Sequence, residues 1–464
     1  MNAARFKIRQ FVENNTVEMI STLSKLVKIP SIRGEAEEGY PYGREPARAL
    51  EKMLEIAEKM GFTVKNHENR VGTIDFYPEG EPTLGILCHL DVVPVSAGWK
   101  TPPFELTLKN GALYGRGSID NKGPAVSVLY AMYALKKLGV KLSQNVRFIV
   151  GTDEECGSSD LAYYKNKEAL PERLFTPDGS YPVINIEKGH IRGEISKPIV
   201  SSGAKTIVSV EGGTVTNAVP DTASAVVRGF EKSEILYAAK KISEDVSFNI
   251  ELSDDTATIA CNGKAAHASQ PQGGANALTA LIALLASLKT DDETAAGFEA
   301  LSKLLVFGEF DGASLGIKMS DEKSGELTFV HSVASYDGDV YRGKFDIRFP
   351  VSSSCDKVRQ KIEKKLAKIG ASLSEFEGSE PHAVDGDSDF VKALLSVYER
   401  VSGKRGYTIA IGGGTYVHNT NGVAFGAEFI GDKNNMHGAN EKMSVDLFQM
   451  NTVMFAEAIL DLCS

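Results

Sequence analysis

Cysteine is scarce and scattered in this 464-residue chain. Cys88, Cys156, Cys261, Cys355 and Cys463 form an odd set without CxxC spacing, which argues against a disulfide framework and leaves each thiol as a small apolar filler. Positive charge is also short: 51 Lys and Arg face 61 Asp and Glu, for a formal net charge of −10. A nucleic acid is therefore not the expected partner, because neutralising phosphates needs a basic footprint. Long apolar runs are missing too. The most apolar stretch, ALTALIALLASL at 277–288, falls short of the roughly 20 residues that cross a bilayer and reads as a core helix. The opening MNAARFKIRQFVENNTVEMISTLSKL lacks an apolar core followed by a small-residue cleavage site, so no signal peptide is read. A cytoplasmic protein without a membrane partner is expected.

What is present is 42% hydrophobic and 24% charged, a composition able to bury a large core, and the length favours two domains or more. The first part alternates helical spacing (14–28, 44–61) with strand-like runs (TLGILCHLDVV, NVRFIVG) and a helix in GPAVSVLYAMYALKKLG, predicting an α/β layer of mostly parallel, buried strands. From about residue 190 the texture changes to strands that alternate polar and apolar residues (KTIVSVEGG, ASAVVRGF, TATIACNGK) between amphipathic helices, as in an α+β domain with one solvated sheet face. After about residue 383 the α/β pattern returns. The expected architecture is an α/β domain with a mostly parallel sheet, 1–188 and 380–464, interrupted by an inserted α+β domain, 189–379. ASAVVRGFEKSEILYAAKKIS and GKFDIRFPVSSSCDKVRQKIEKKLAK both read as strand, polar loop and helix, suggesting an insertion of two ferredoxin-like halves.

Acids and histidines gather where these strands end. In VRFIVGTDEECGSSD, Asp153, Glu154 and Glu155 stand side by side after a buried run; either the segment is a solvated loop or a cation compensates them. Read as a continuing strand, Glu154 and Glu155 would point to opposite sides, one to grip a metal and one to take a proton. In CHLDVVP, His89 and Asp91 share a strand face, as a surface pair or as a metal ligand with its orienting acid. Asp120 in GRGSIDNKGP could cap the helix starting near Pro124 or bridge two cations. Asp178 in FTPDGS and His437 in NNMHGANE also follow apolar runs. Ligands of open α/β sheets bind outside the carboxyl ends of strands, so one shared cluster is the simpler account.

HLDVVP, GRGSIDNKGP, GTDEECGSSD, FTPDGSYP, GKAAHASQPQGGANA and HGANE, in this order, resemble the aminoacylase and carboxypeptidase-G-like family of two-zinc peptidases, and within it the PepV-type dipeptidases. The resemblance implies that His89 and Asp178 bind one zinc, Glu155 and His437 the other, and Asp120 both, with Mn2+ or Co2+ as possible substitutes. It implies Asp91 as the support of His89, Glu154 as general base, a cis bond after Asp120, His267 as oxyanion donor and Asn217 as a second contact. Arg348 in KFDIRFP and Gly414 in IGGGTYVH, a glycine loop lacking the GK[ST] of a phosphate loop, would hold the free carboxylate of a dipeptide. The long insertion implies a monomer whose second half stands in for a partner subunit. His418 follows that loop without an assigned role, and His67, His190, His331 and His382 are expected in ordinary surface or core positions. Two other functions stay open: a deacylase of N-acyl amino acids or N-succinyl-diaminopimelate, and a non-catalytic metal- or peptide-binding protein.

Overall fold

Apolar runs bounded by turn residues become strands, and their alternation shows which neighbours they must meet. In the computed structural model, which describes residues 2–418 and 420–464, the strands Pro82–His89 and Asn145–Gly151 are buried along nearly their whole length. Leu84, Ile86, Cys88, Val146, Phe148 and Val150 enter one apolar cluster, while Leu87 and Ile149 enter another on the opposite face. Both faces of this sheet are therefore covered, as parallel sheets require. Parallel pairing joins Asn145–Gly151, Pro82–His89, Arg173–Thr176 and Val423–Ala424, and the antiparallel strands Val71–Asp75 and Thr63–His67 extend the sheet on one side. Helix Lys122–Lys137 packs against Val445–Cys463 and Asn2–Val27 on the larger cluster.

By internal packing the chain divides into a first unit of residues up to Asn185, Val384–Ile409 and Gly414–Ser464, and a second of Ile186–Ala383 with Ala410–Gly413. The expected junctions were 189 and 379. The second unit carries an eight-stranded antiparallel sheet, in the order Ser247–Ser253, Thr256–Asn262, Thr222–Arg228, Thr206–Gly212, Thr328–Tyr336, Val340–Phe349, Gly189–Pro198, Ser372–Ser379. Period-two burial is plain in Thr222–Arg228, where Ala223, Ala225 and Val227 face the core. Read outward from the central pair Thr206–Gly212/Thr328–Tyr336, the two halves match. In each, the second strand (Thr222–Arg228 or Val340–Phe349) leads into a helix (Lys232–Ala239 or Cys355–Ala367) and then the outermost strand. This is the duplication read from ASAVVRGF and GKFDIRFP.

Three local expectations are corrected. The first helix spans Asn2–Val27 rather than starting near residue 14, because Ile8 and Val12 continue the buried stripe of Met19 and Leu23. The strand in TLGILCHLDVV stops at His89, so Asp91 lies beyond it in a loop. NGVAFGAEFI forms two short strands, Val423–Ala424 pairing with Phe175–Thr176 and Ala427–Phe429 with Gly179–Tyr181, instead of one.

Candidate active site

Asp120 precedes helix Lys122–Lys137, but it does not cap it: the N-cap is Asn121, and the Asp120 carboxylate points to two histidines. Oδ1 lies 3.0 Å from His89 Nε2 and Oδ2 lies 2.8 Å from His437 Nε2. One oxygen per imidazole is the arrangement a bridging carboxylate needs. His89 Nδ1 donates to the backbone carbonyl of Asp91 at 3.1 Å, which turns Nε2 towards Asp120, with Asp178 Oδ1 3.6 Å from it. Asp178 accepts from Asn121 Nδ2 and the Tyr416 N–H, both at 3.3 Å. The Asp120–Asn121 bond is cis, as the resemblance implies.

The acidic run departs from the strand reading. After Gly151 the backbone turns, and Glu154–Cys156 form a single 3-10 turn. Two buried carboxylates impose it by collecting amides: Asp160 Oδ2 accepts from Thr152 and Asp153 N–H at 2.6 and 2.9 Å, and Asp91 accepts from Glu154 and Glu155 N–H at 3.2 and 3.1 Å. Asp91 thus steadies His89 mainly through its carbonyl and the glutamate turn through its side chain. Tyr416 Oη donates to Asp160 Oδ2 at 2.6 Å, crossing where a Cβ on Gly151 would lie 1.6 Å from that hydroxyl. A side chain at 151 would push the tyrosine out. The turn parts the two glutamates: Glu155 Oε2 sits 3.3 Å from His437 Nε2, and Glu154 offers an oxygen that lies within 4.8 Å of donor atoms on His89 and Asp178.

Sequence reasoning missed a buried pair behind this cluster. Arg116 and Glu441, both almost fully buried, meet at 2.6 Å. Glu441 Oε1 accepts the N–H of Ile119 and of Asp120 at 3.0 and 3.3 Å, and Arg116 Nη2 donates to the carbonyl of His437 at 3.2 Å. His437 adopts a left-handed φ of 59°, uncommon for a residue with a Cβ, and this bond helps hold it. Glu441 belongs to HGANE, whose unexplained acid was the available signal.

Electrostatically the cluster calls for a cation. Burial raises the pKa of Glu154, and the charges of Asp178, Glu155 and Asp120 raise it further; burial also raises Glu155 and Asp178. His437 is pushed up to about 10 by its hydrogen bonds to Asp120 and Glu155. In His89 burial acts downward, and the hydrogen bonds to Asp120, Asp178 and Asp91 outweigh it. Glu155 Oε1 is buried with no hydrogen-bond partner among the described residues. Two compact donor sets share His89, one with Glu154 and Asp178 and one with Asp120 and Glu155. Imidazole nitrogens with carboxylate oxygens suit zinc-like divalent ions, and the orphaned oxygen has the position a ligand would take. The residues fit a dinuclear centre.

The remaining expected residues fall on other segments of the chain. In the second unit, His267 pairs across a two-stranded ladder with Ala218, and the carbonyl of Asn217 accepts from Ala268 N–H, so Asn217 and His267 are neighbours. His267 Nδ1 accepts the Ser269 N–H at 3.2 Å, which places the ring proton on Nε2. Arg348 is buried, pairing with Asp346 and donating to Gly412 O at 2.8 Å. Gly414 is exposed, and His418 closes the next turn by donating its N–H to Thr415 O. His331 and His382 are core residues, and buried His67 packs edge-on against Tyr164. His190 bonds Asp346 at 3.0 Å.

Residues 85–461 match the model of peptidase family M20/M25/M40. The chain belongs to that family. Among relatives of this M20/M25/M40 member, the putative dipeptidase YtjP of Bacillus subtilis is 34% identical over 454 residues, covering 96% of this chain and 97% of that one. The Beta-Ala-Xaa dipeptidase of Lactobacillus delbrueckii subsp. lactis is 33% identical, with 98% of each chain covered. The fold is shared with the aminoacylhistidine dipeptidase of Vibrio alginolyticus (TM-score 0.60, 15% identity, 96% of each chain) and with the dipeptidase Dug1p of Saccharomyces cerevisiae (TM-score 0.59, 16% identity, 99% of each chain). Family membership bears out the resemblance read from the motifs. Among the described residues no helix is long and apolar enough to cross a membrane.

Proposed function

We propose that the protein is a metal-dependent dipeptidase that hydrolyses unblocked dipeptides. The carrying observation is Asp120, whose two oxygens each face a different histidine beside Glu154. The family and the two dipeptidase-named relatives support the reading. His89 and Asp178 would hold one Zn2+, Glu155 and His437 the other, and Asp120 both, with Mn2+ or Co2+ able to substitute. Bound there, two such ions polarise a peptide carbonyl and bring the pKa of an attacking water towards ~7.

The chain's own groups do the rest. Glu154, a half-buried carboxylate that desolvation and the neighbouring acids make hold protons more firmly than usual, accepts the proton of the attacking water and returns it to the departing amine. Asp91 keeps the glutamate turn and His89 in place. His267, with Nε2–H available, donates to the oxyanion, and Asn217 contacts the same group. Arg348 and the Gly414 backbone hold the free carboxylate of the dipeptide. The enzyme is a monomer, because Thr328–Tyr336 already pairs with Thr206–Gly212 where the two halves meet; a cytoplasmic home fits its free cysteines.

The test is metal analysis of the purified protein beside kinetics on Ala-Ala and on acetyl- and succinyl-amino acids. Two ions per chain with turnover of Ala-Ala alone support the proposal. Preference for the acylated substrates makes it a deacylase, and metal binding without turnover makes it a binding protein.

A further inference from the structure

The strand Val340–Phe349 buries two opposite charges on one face. Asp346 and Arg348 are two residues apart, so their side chains emerge together, and Asp346 is 1% and Arg348 7% exposed. The contact is forked: Arg348 Nε donates to Asp346 Oδ1 at 2.7 Å and Nη2 to Oδ2 at 3.0 Å. Directly across the antiparallel ladder from Arg348 stands His190, whose Nε2 lies 3.0 Å from Asp346 Oδ2. The same carboxylate thus joins an arginine on its own strand to a histidine on the neighbouring one. A buried ion pair is weak as a source of stability, since an apolar pair of similar volume serves as well. What it does supply is direction.

We propose that Asp346 and His190 are positioning residues that aim the Arg348 guanidinium at the free carboxylate of the substrate. This rests on the dipeptidase reading. A guanidinium has five N–H donors. Asp346 takes one from Nε and one from Nη2, and the Gly412 carbonyl takes one from Nη1 at 2.8 Å. One N–H on each terminal nitrogen is left without a partner among the described residues, and two such donors in one plane match a carboxylate. Without Asp346 the guanidinium can rotate about its last bonds, and its two spare donors no longer share a fixed direction. His190 also holds Oδ2, at 3.0 Å, and keeps the carboxylate from turning. Selectivity for an uncapped C-terminus therefore depends on residues that need not touch the substrate.

The experiment uses the full metal-loaded chain carrying Glu154→Gln, so that substrate binds without being consumed. Calorimetry compares Ala-Ala with Ala-Ala amide in this parent and after adding Asp346→Asn, His190→Phe or Arg348→Ala. The parent is expected to prefer the acid. Asp346→Asn reduces that preference about ten- to a hundredfold, the worth of one charge-assisted hydrogen bond, and His190→Phe reduces it less. In the Arg348→Ala background neither substitution changes it further. A preference retained by a folded Asp346→Asn protein, an effect undiminished without Arg348, or no preference in the parent overturns the inference. Should Asp346→Asn fail to fold, the His190→Phe series decides by the same comparison. Absence of Ala-Ala turnover by the unsubstituted enzyme is a separate result, and it removes the dipeptidase reading instead.

Discussion

Replacing Glu441 by glutamine keeps its shape and withdraws its charge from a place where water cannot compensate. Arg116 and Glu441 are 1% and 0% exposed in their side chains, and the glutamine presents an N–H where Arg116 needs an acceptor. Breaking a buried pair from one side costs about 3–5 kcal/mol, which at about 2 °C per kcal/mol for a domain of this size lowers Tm by about 6–10 °C. The second consequence is at the metal. Glu441 fixes the backbone of Asp120, and Arg116 fixes the carbonyl of His437, so both proposed ligands lose an outer support, typically worth about 10–100-fold in affinity. Calorimetric unfolding and chelator competition measure the two effects separately. The double variant Arg116→Met with Glu441→Leu separates them further: part of the lost stability returns because no charge is stranded, whereas metal affinity stays low because the N–H groups of Ile119 and Asp120 have lost their acceptor. Glu441→Gln protein with unchanged metal affinity, or a Tm within about 1 °C of the parent, refutes this reasoning.

Three further outcomes are expected. Glu154→Gln keeps two ions per chain while kcat falls by about 10²–10⁴, and a kcat near the parent value removes Glu154 from proton transfer. Exhaustive chelation abolishes hydrolysis and lowers Tm, each site contributing about 2.7 kcal/mol at a hundredfold excess of ion over its Kd; Zn2+, Mn2+ or Co2+ restores both, and full activity after chelation refutes the assignment. Burial holds the His331 pKa down to about 3, so the unfolded chain takes up that proton first as pH falls below 6.5. Stability then declines between pH 6.5 and 3, by on the order of 1.4 kcal/mol per pH unit, and His331→Gln flattens this part of the profile; superimposable profiles refute it.

The convergence of His89, Asp120, Glu155, Asp178 and His437 was legible because most of them follow apolar runs that had to become buried strands, and such strands end on a common side. The turn at Glu154–Cys156 was not. Nothing local in GTDEEC halts the strand pattern; the halt comes from Asp91 and Asp160, whose carboxylates capture four successive amides from outside the segment. Glu441 was visible as part of HGANE, yet its targets lie over 320 positions earlier in the chain. His190 looked ordinary for a similar reason. Alternation tells which face a strand residue takes, and only the pairing register reveals that Arg348 lies opposite.

In the inserted unit, His267 belongs to the half containing Thr256–Asn262, and Arg348 to the half containing Val340–Phe349. Had this sheet been built from two identical chains, every substitution would arrive twice, once on each side of the symmetry axis. Joining the halves in one polypeptide lifts that constraint: one copy can be tuned for the reaction and its sibling for recognising the substrate's end. The asymmetry of the present sequence is the freedom that a single gene for both halves confers.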